Sequence, residues 1–99
     1  MQERGIIEAM KIEWDPRKAE LNRKKHGVAF EEAATALSDP MAVTGADPDH
    51  SDYEERCVTF GVSAGNRLLV VSHTEEGETI RLISARKASK GERKLYEEG

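Results

Sequence analysis

Three histidines, two neighbouring carboxylates and several arginines are the residues of this chain suited to moving protons or holding an anion. They are His26, His50 and His73, then Glu54 and Glu55, then Arg56, Arg81 and Arg86. Imidazole titrates near neutral pH and serves as general acid or general base. The guanidinium fork of arginine grips two oxygens of a phosphate-like group and keeps its charge. The set therefore suits acid–base chemistry beside an anionic centre. The single cysteine, Cys57, cannot form an internal disulfide, and no Cys/His spacing resembles a zinc site. No metal and no cofactor are expected.

The elements that must position these groups follow from local signals. Met10, Ile12 and Trp14 alternate with polar residues as in a strand, while residues 1–9 read as an extension ahead of a single domain over 10–97. Asp15 and Pro16 open a helix that ends at Gly27. His26 and Lys25 fall in its last turn, where the helix dipole favours positive charge. That suits a general acid or a phosphate contact, and plain helix termination explains the pair as well. Phe30, Ala33, Ala34 and Leu37 form the buried stripe of a second helix, closed by Ser38-Asp39-Pro40. Met41–Thr44 is a candidate strand, and Gly45–Asp52, which carries His50, reads as a loop.

Three strands then follow with short turns between them: 55–62, 67–74 and one beginning at Thr79. Arg56, Val58, Phe60 and Val62 share one face of the first, with Cys57 and Thr59 on the other. His73 shares a face with Leu69 and Val71, so it reads as a structural histidine. Arg81 and Arg86 fall on opposite faces of a regular strand. They point together only if a bulge intervenes or the strand ends early, and the sequence favours Arg86 lying past the ladder. Arg81 fits either an ion pair with a sheet carboxylate or a phosphate contact. Ser89 and Glu92 form a Ser-x-x-Glu capping box for a last short helix. The order predicts an α+β domain: a small antiparallel β-sheet with two N-terminal helices and a short C-terminal helix, the helices packed on one sheet face.

Charge is unevenly placed. The 99 residues sum to −4, yet residues 81–94 carry +5 and residues 16–30 carry +4, flanking an acidic stretch, 31–60, of −7. The overall acidity argues against a general nucleic-acid-binding domain. If folding brings the two basic blocks together they make a positive face, and the acidic stretch could steer a basic partner. Two solvated faces of unlike sign are the alternative. The longest apolar run is Leu68–Val71, far short of a membrane span, and the start lacks a signal-peptide pattern, so a cytoplasmic protein is expected.

Trp14-Asp15-Pro16 with Lys18 and Asn22, Lys25-His26-Gly27-Val28, and Phe30-Glu31-Glu32-Ala33 resemble the N-terminal half of the BrnT toxins. Asp39-Pro40, His50-Ser51 with Glu54-Glu55-Arg56, and Arg81 to Ala88 with Glu92, Arg93 and Tyr96 continue the resemblance in order over residues 10–97. Tyr53 departs from it, standing where a small residue such as glycine is expected. The resemblance implies a RelE-like ribonuclease toxin of a bacterial type II toxin–antitoxin pair that arrests translation. It implies neutralisation by a BrnA-type ribbon-helix-helix antitoxin in a heterotetramer built on an antitoxin dimer, with operator DNA reached only through that antitoxin.

Metal-independent RNA cleavage needs a base for the 2′-OH, cations for the phosphorane and an acid for the leaving 5′-oxygen. His26, His50, Glu55, Arg56, Arg81 and Arg86 are the candidate catalytic residues. Lys25, Lys87 and Arg93 are the candidate RNA contacts. Glu92 reads as the capping box alone. A non-catalytic module that binds the antitoxin and modulates DNA binding remains the competing reading.

Overall fold

Asp15 and Gly27 delimit the first helix by local chemistry. In the computed structural model, which describes residues 11–47 and 56–98, the Asp15 carboxylate accepts from the Arg17 amide at 2.8 Å and Pro16 takes the first helical position. Gly27 adopts φ 71°, the left-handed conformation that glycine enters without steric cost, and its amide closes back on Arg23. The resulting helix α1 (Pro16–His26) follows a short strand β1 (Lys11–Glu13). Helix α2 (Phe30–Ala36) comes next, then strands β2 (Val43–Ala46), β3 (Arg56–Val62), β4 (Leu68–Glu76) and β5 (Thr79–Lys87), and finally helix α3 (Lys90–Glu98). The expectations for residues 1–9, for His50, Tyr53, Glu54 and for Glu55 fall outside the described residues.

The strands form one sheet in the order β1-β5-β4-β3-β2. The antiparallel meander expected from the short turns is present in β2 to β5, and β1 departs from it by pairing parallel to β5. The long connection through α1 and the rest of the chain makes a parallel pairing possible, which a tight hairpin turn would not. The second strand sits two residues later than Met41–Thr44, and β4 runs on through Glu76 into a two-residue turn at Gly77 and Glu78. The turn tightens because Gly77 supplies a positive φ of 62°.

One face of the sheet is covered. Leu69, Val71, Ile80, Leu82 and Ala85 meet Phe30, Ala33 and Ala36 of α2 there, with Val28 buried among them. Trp14 packs edge-on against Phe30, ring centroids 6.0 Å apart at 84°. Helix α2 approaches β3 so closely that a Cβ on Gly61 would fall 2.2 Å from the Ala36 carbonyl oxygen, which makes glycine a packing requirement. Asn22 joins α1 to the sheet. Its amide group exchanges hydrogen bonds with both backbone groups of Ala85 at 2.9 and 3.0 Å, and it also donates to the Val28 carbonyl. The β1 ladder stops opposite Arg81, so Asn22 occupies the place of a missing strand beside Arg86.

Two expectations need correction. Arg86 does not lie past the ladder: β5 continues to Lys87, and Arg86 pairs with Val70. The face change comes from a bulge instead. Ser72 opposes Ser84 while His73 opposes Leu82, leaving Ile83 as the extra residue. The second correction concerns α3, which does not join α1 and α2 on the covered face. Its Glu92 reaches Arg86 on the opposite side.

Candidate active site

Alternation along the ladders assigns the open face of the sheet. Cross-strand partners point the same way, so Arg56, Thr74 and Arg81 form one row across β3, β4 and β5. Gly45, Val58, Ser72 and Ser84 form the next, and Val43, Phe60, Val70 and Arg86 a third. Without the bulge at Ile83, Arg86 would oppose Leu69 and face the core. With it, Arg56, Arg81 and Arg86 share one face.

That face holds an open cleft of about 550 Å³. Val58, Phe60 and Val70 give it an apolar floor, Ser72 and Ser84 supply hydroxyls, and Thr44 to Asp47 of β2 and its end form one rim. Arg86 and Glu92 form the other. An apolar floor with a few convergent polar groups is the usual make-up of a binding site.

Arg86 is held by a two-pronged ion pair. Its Nη1 and Nη2 donate to Oε1 and Oε2 of Glu92 at 2.8 and 2.9 Å. Glu92 is at the same time the capping residue expected from the sequence: its Oε1 accepts from the Ser89 amide at 2.9 Å, and its own amide donates to Ser89 Oγ at 3.2 Å. The Arg86 guanidinium is the main cause that lowers the Glu92 carboxyl to about 2. Glu92 was expected to serve the cap alone, and the contact to Arg86 adds a second role that no local motif signals.

Helix α3 is otherwise thinly attached. None of its residues is buried, and Leu95 is 71% exposed. Its second tie is Tyr96, whose hydroxyl donates to Asp39 Oδ2 at 2.6 Å. Asp39 also accepts from the amides of Val62 and Met41, and the Tyr96 hydroxyl leads these in lowering its carboxyl, while the phenol is raised in turn. Two polar contacts thus fix the helix over the edge of the cleft.

The remaining candidates lie further out. Arg81 donates to Glu13 Oε2 at 3.0 Å, forming the ion pair with a sheet carboxylate that was one of its two expected roles. Arg56 stands at the start of β3 on the cleft's face. Lys25 and His26 end α1, which meets the sheet along β5. Among the described residues, neither lines the cleft. Lys87 ends β5 and is exposed, and Arg93 on α3 pairs loosely with Glu97 at 3.8 Å.

His73 is buried as expected, although only half of its ring is satisfied. Nε2 lies 2.7 Å from Thr59 Oγ1, which lies 2.7 Å from Thr44 Oγ1. Nδ1 has no hydrogen-bond partner among the described residues. Burial lowers the pKa of the ring, partly opposed by Glu75.

A family model described as "Ribonuclease toxin, BrnT, of type II toxin-antitoxin system" matches residues 14–92. The chain belongs to the BrnT family. It is similar to the crystal structure of the Brucella abortus ribonuclease toxin BrnT, at 28% identity and a TM-score of 0.60, over 83% of this chain and all of that one. No curated protein sequence matches it. The BrnT match and the shared α+β architecture make this a member of a family of ribonuclease toxins that work with an antitoxin partner. Within the BrnT match lie Arg56, Arg81, Arg86 and Glu92, so the whole arginine face belongs to the family region. No described helix is long and apolar enough to cross a membrane.

Proposed function

We propose that this BrnT protein is an endoribonuclease that cleaves single-stranded RNA through attack of the 2′-OH on the adjacent phosphate, without a metal in the chemical step, and so inhibits translation. The observation that carries the reading is the bulge at Ile83, which turns Arg86 into a cleft with an apolar floor and onto the same sheet face as Arg81 and Arg56. Attack by the 2′-OH makes the RNA its own nucleophile, so the protein must supply charge and proton transfer only.

In this reading Arg86 neutralises the phosphorane, because it is the arginine on the cleft itself. Arg56 and Arg81 hold the flanking backbone, with Lys25, Lys87 and Arg93 as outer contacts. Phe60 on the cleft floor offers a ring against which a base can stack. Glu92 is not the base, since so acidic a carboxyl is a poor proton acceptor; its fork-to-fork contact holds the guanidinium at the cleft rim until a phosphate takes its place. His26, His50 and Glu55 are the candidates for proton transfer. The protein acts in the cytoplasm, and a BrnA-type ribbon-helix-helix antitoxin neutralises it in a heterotetramer built on an antitoxin dimer.

Glu92 also supports a second reading. It fills the Arg86 fork, as it would in a non-catalytic module that only docks an antitoxin. Expression of the chain alone separates the two. The enzyme halts growth and yields RNA fragments ending in 2′,3′-cyclic or 3′-phosphate, also in EDTA, whereas the docking module does neither. An absolute requirement for divalent metal in cleavage would sink the mechanism.

A further inference from the structure

The face of the sheet opposite the cleft carries a second cluster. Cys57 and His73 are cross-strand partners on β3 and β4, and Glu75 lies two residues beyond His73 on the same face. The Cys57 thiol, a His73 ring nitrogen and a Glu75 carboxylate oxygen all lie within 4.8 Å of one another.

The state of His73 points to a ligand. Its ring is 1% exposed, and Nδ1 is buried with no hydrogen-bond partner among the described residues. A buried polar atom left in that state is costly. Glu75 Oε2 stands 3.6 Å from Nδ1, too far for a hydrogen bond and on the side where the ring nitrogen presents either a lone pair or a proton. A lone pair facing a carboxylate repels it unless a cation stands between them. For an ion about 2.0–2.2 Å from each atom in tetrahedral geometry, the nitrogen–oxygen separation is about 3.3–3.5 Å. The observed spacing is close to that.

The other side of the ring is arranged for the same end. Nε2 meets Thr59 Oγ1, and Thr59 meets Thr44, each at 2.7 Å. If Nε2–H donates into this hydroxyl chain, the Nδ1 lone pair is left for a ligand. A hydrogen bond behind a ligating histidine fixes tautomer and ring orientation in this way.

We propose that Cys57 Sγ, His73 Nδ1 and the Glu75 carboxylate bind a divalent transition-metal ion of the zinc class, leaving one position for water. Thiolate, imidazole and carboxylate together match zinc chemistry and do not match calcium or magnesium. The sequence spacing hid this because 57 and 73 are neighbours only through the β3–β4 ladder. The site lies across the sheet from Arg86, so its occupancy and RNA cleavage are separate measurements.

The test is Co(II) titration of the chelator-treated full chain, read by absorption. The expected result is one equivalent bound, with the visible bands of tetrahedral cobalt and a near-ultraviolet thiolate-to-cobalt band. Cys57→Ser removes the thiolate band, and Glu75→Gln weakens binding at least about tenfold. Both residues lie near the surface, so the variants keep the parent's far-ultraviolet circular dichroism and avoid the buried ring. Thr59→Val, which leaves ligands in place and removes the hydroxyl behind the ring, weakens binding by about 10–100-fold. Absence of stoichiometric binding overturns the proposal. So does a spectrum and affinity unchanged in Cys57→Ser and Glu75→Gln, which would place the metal elsewhere.

Discussion

Two arginine–glutamate forks in this protein have the same chemistry and different surroundings. Arg67 meets Glu32 through Nε at 2.9 Å and through Nη2, and Ser63 Oγ donates to the same carboxylate at 2.6 Å. Arg67 Nη2 also reaches the Gly27 carbonyl at 3.3 Å. One fork thereby ties the end of α1, helix α2 and the β3–β4 turn, and its acceptor sites are filled by protein. Arg86 and Glu92 instead meet on the rim of a cleft, joining a strand to a helix with no buried residue. The difference teaches where an ion pair is framework and where it can be exchanged for a ligand. On the proposed reading a phosphate takes the place of the Glu92 carboxylate at Arg86, whereas a ligand at Arg67 would have to undo three connections.

The comparison breaks most sharply at the two arginines. Arg86→Ala should lower RNA cleavage by on the order of 10²–10³-fold, the effect of removing a donor aimed at transition-state charge. It should lower the melting temperature by no more than about 4–8 °C, since a partly exposed ion pair contributes about 1 kcal/mol or less, and antitoxin binding should persist. A fully active Arg86→Ala protein removes this residue from the site. Glu32→Ala should do the reverse. Losing the partners of Arg67 and Ser63 should cost about 1–2 kcal/mol, discounted because the pair is partly exposed. At about 4–8 °C per kcal/mol for a domain of this size, thermal unfolding would show it readily, while the folded variant keeps its cleavage rate. Equal losses of activity in both variants would mean that the two forks are not separate in kind.

Glu92→Gln sharpens the contrast with a smaller effect. Glutamine still completes the capping box, so stability should change by less than about 1 kcal/mol. Arg86 then loses its charged partner and is free for phosphate. RNA binding should tighten several-fold, and the salt dependence should steepen by about 0.7 in log–log slope, the signature of one more phosphate contact on a single strand. Unchanged affinity and slope, measured with an uncleavable oligonucleotide, would make this fork framework as well.

Features governed by a few adjacent residues were legible in the sequence. Asp15-Pro16 and Gly27 bounded α1, Ser89 and Glu92 capped α3, and the short turns predicted the meander. What the sequence concealed depends on the opposite strand. Parity shows that Arg81 and Arg86 can share a face by a bulge or an early strand end, and the bulge is the one present. Only the opposition of Ser72 to Ser84 and of His73 to Leu82 decides it. The parallel pairing of β1 is likewise set by packing across the core. The Arg86–Glu92 contact spans a strand–helix junction, and Cys57 meets His73 across a ladder. No periodicity reports either contact.

Acid separates the fork's charge from its geometry without a mutation. The Glu92 carboxyl is lowered to about 2, chiefly by Arg86, and the Ser89 amide adds to this. A depressed carboxyl stabilises the folded state in full above the ordinary glutamate value, and that contribution fades as pH falls toward about 2. Helix α3 should therefore stay docked at pH 4, where ordinary surface glutamates are already largely protonated. Its attachment should weaken progressively below that, as pH falls toward about 2. Carboxyl-carbon NMR titration of Glu92, with Arg86→Ala as the control, should show an acidic midpoint that returns toward the ordinary value in the variant. An ordinary midpoint in the parent protein would mean that the guanidinium is not held against Glu92 in solution, and the Arg86 fork would then already be open to phosphate.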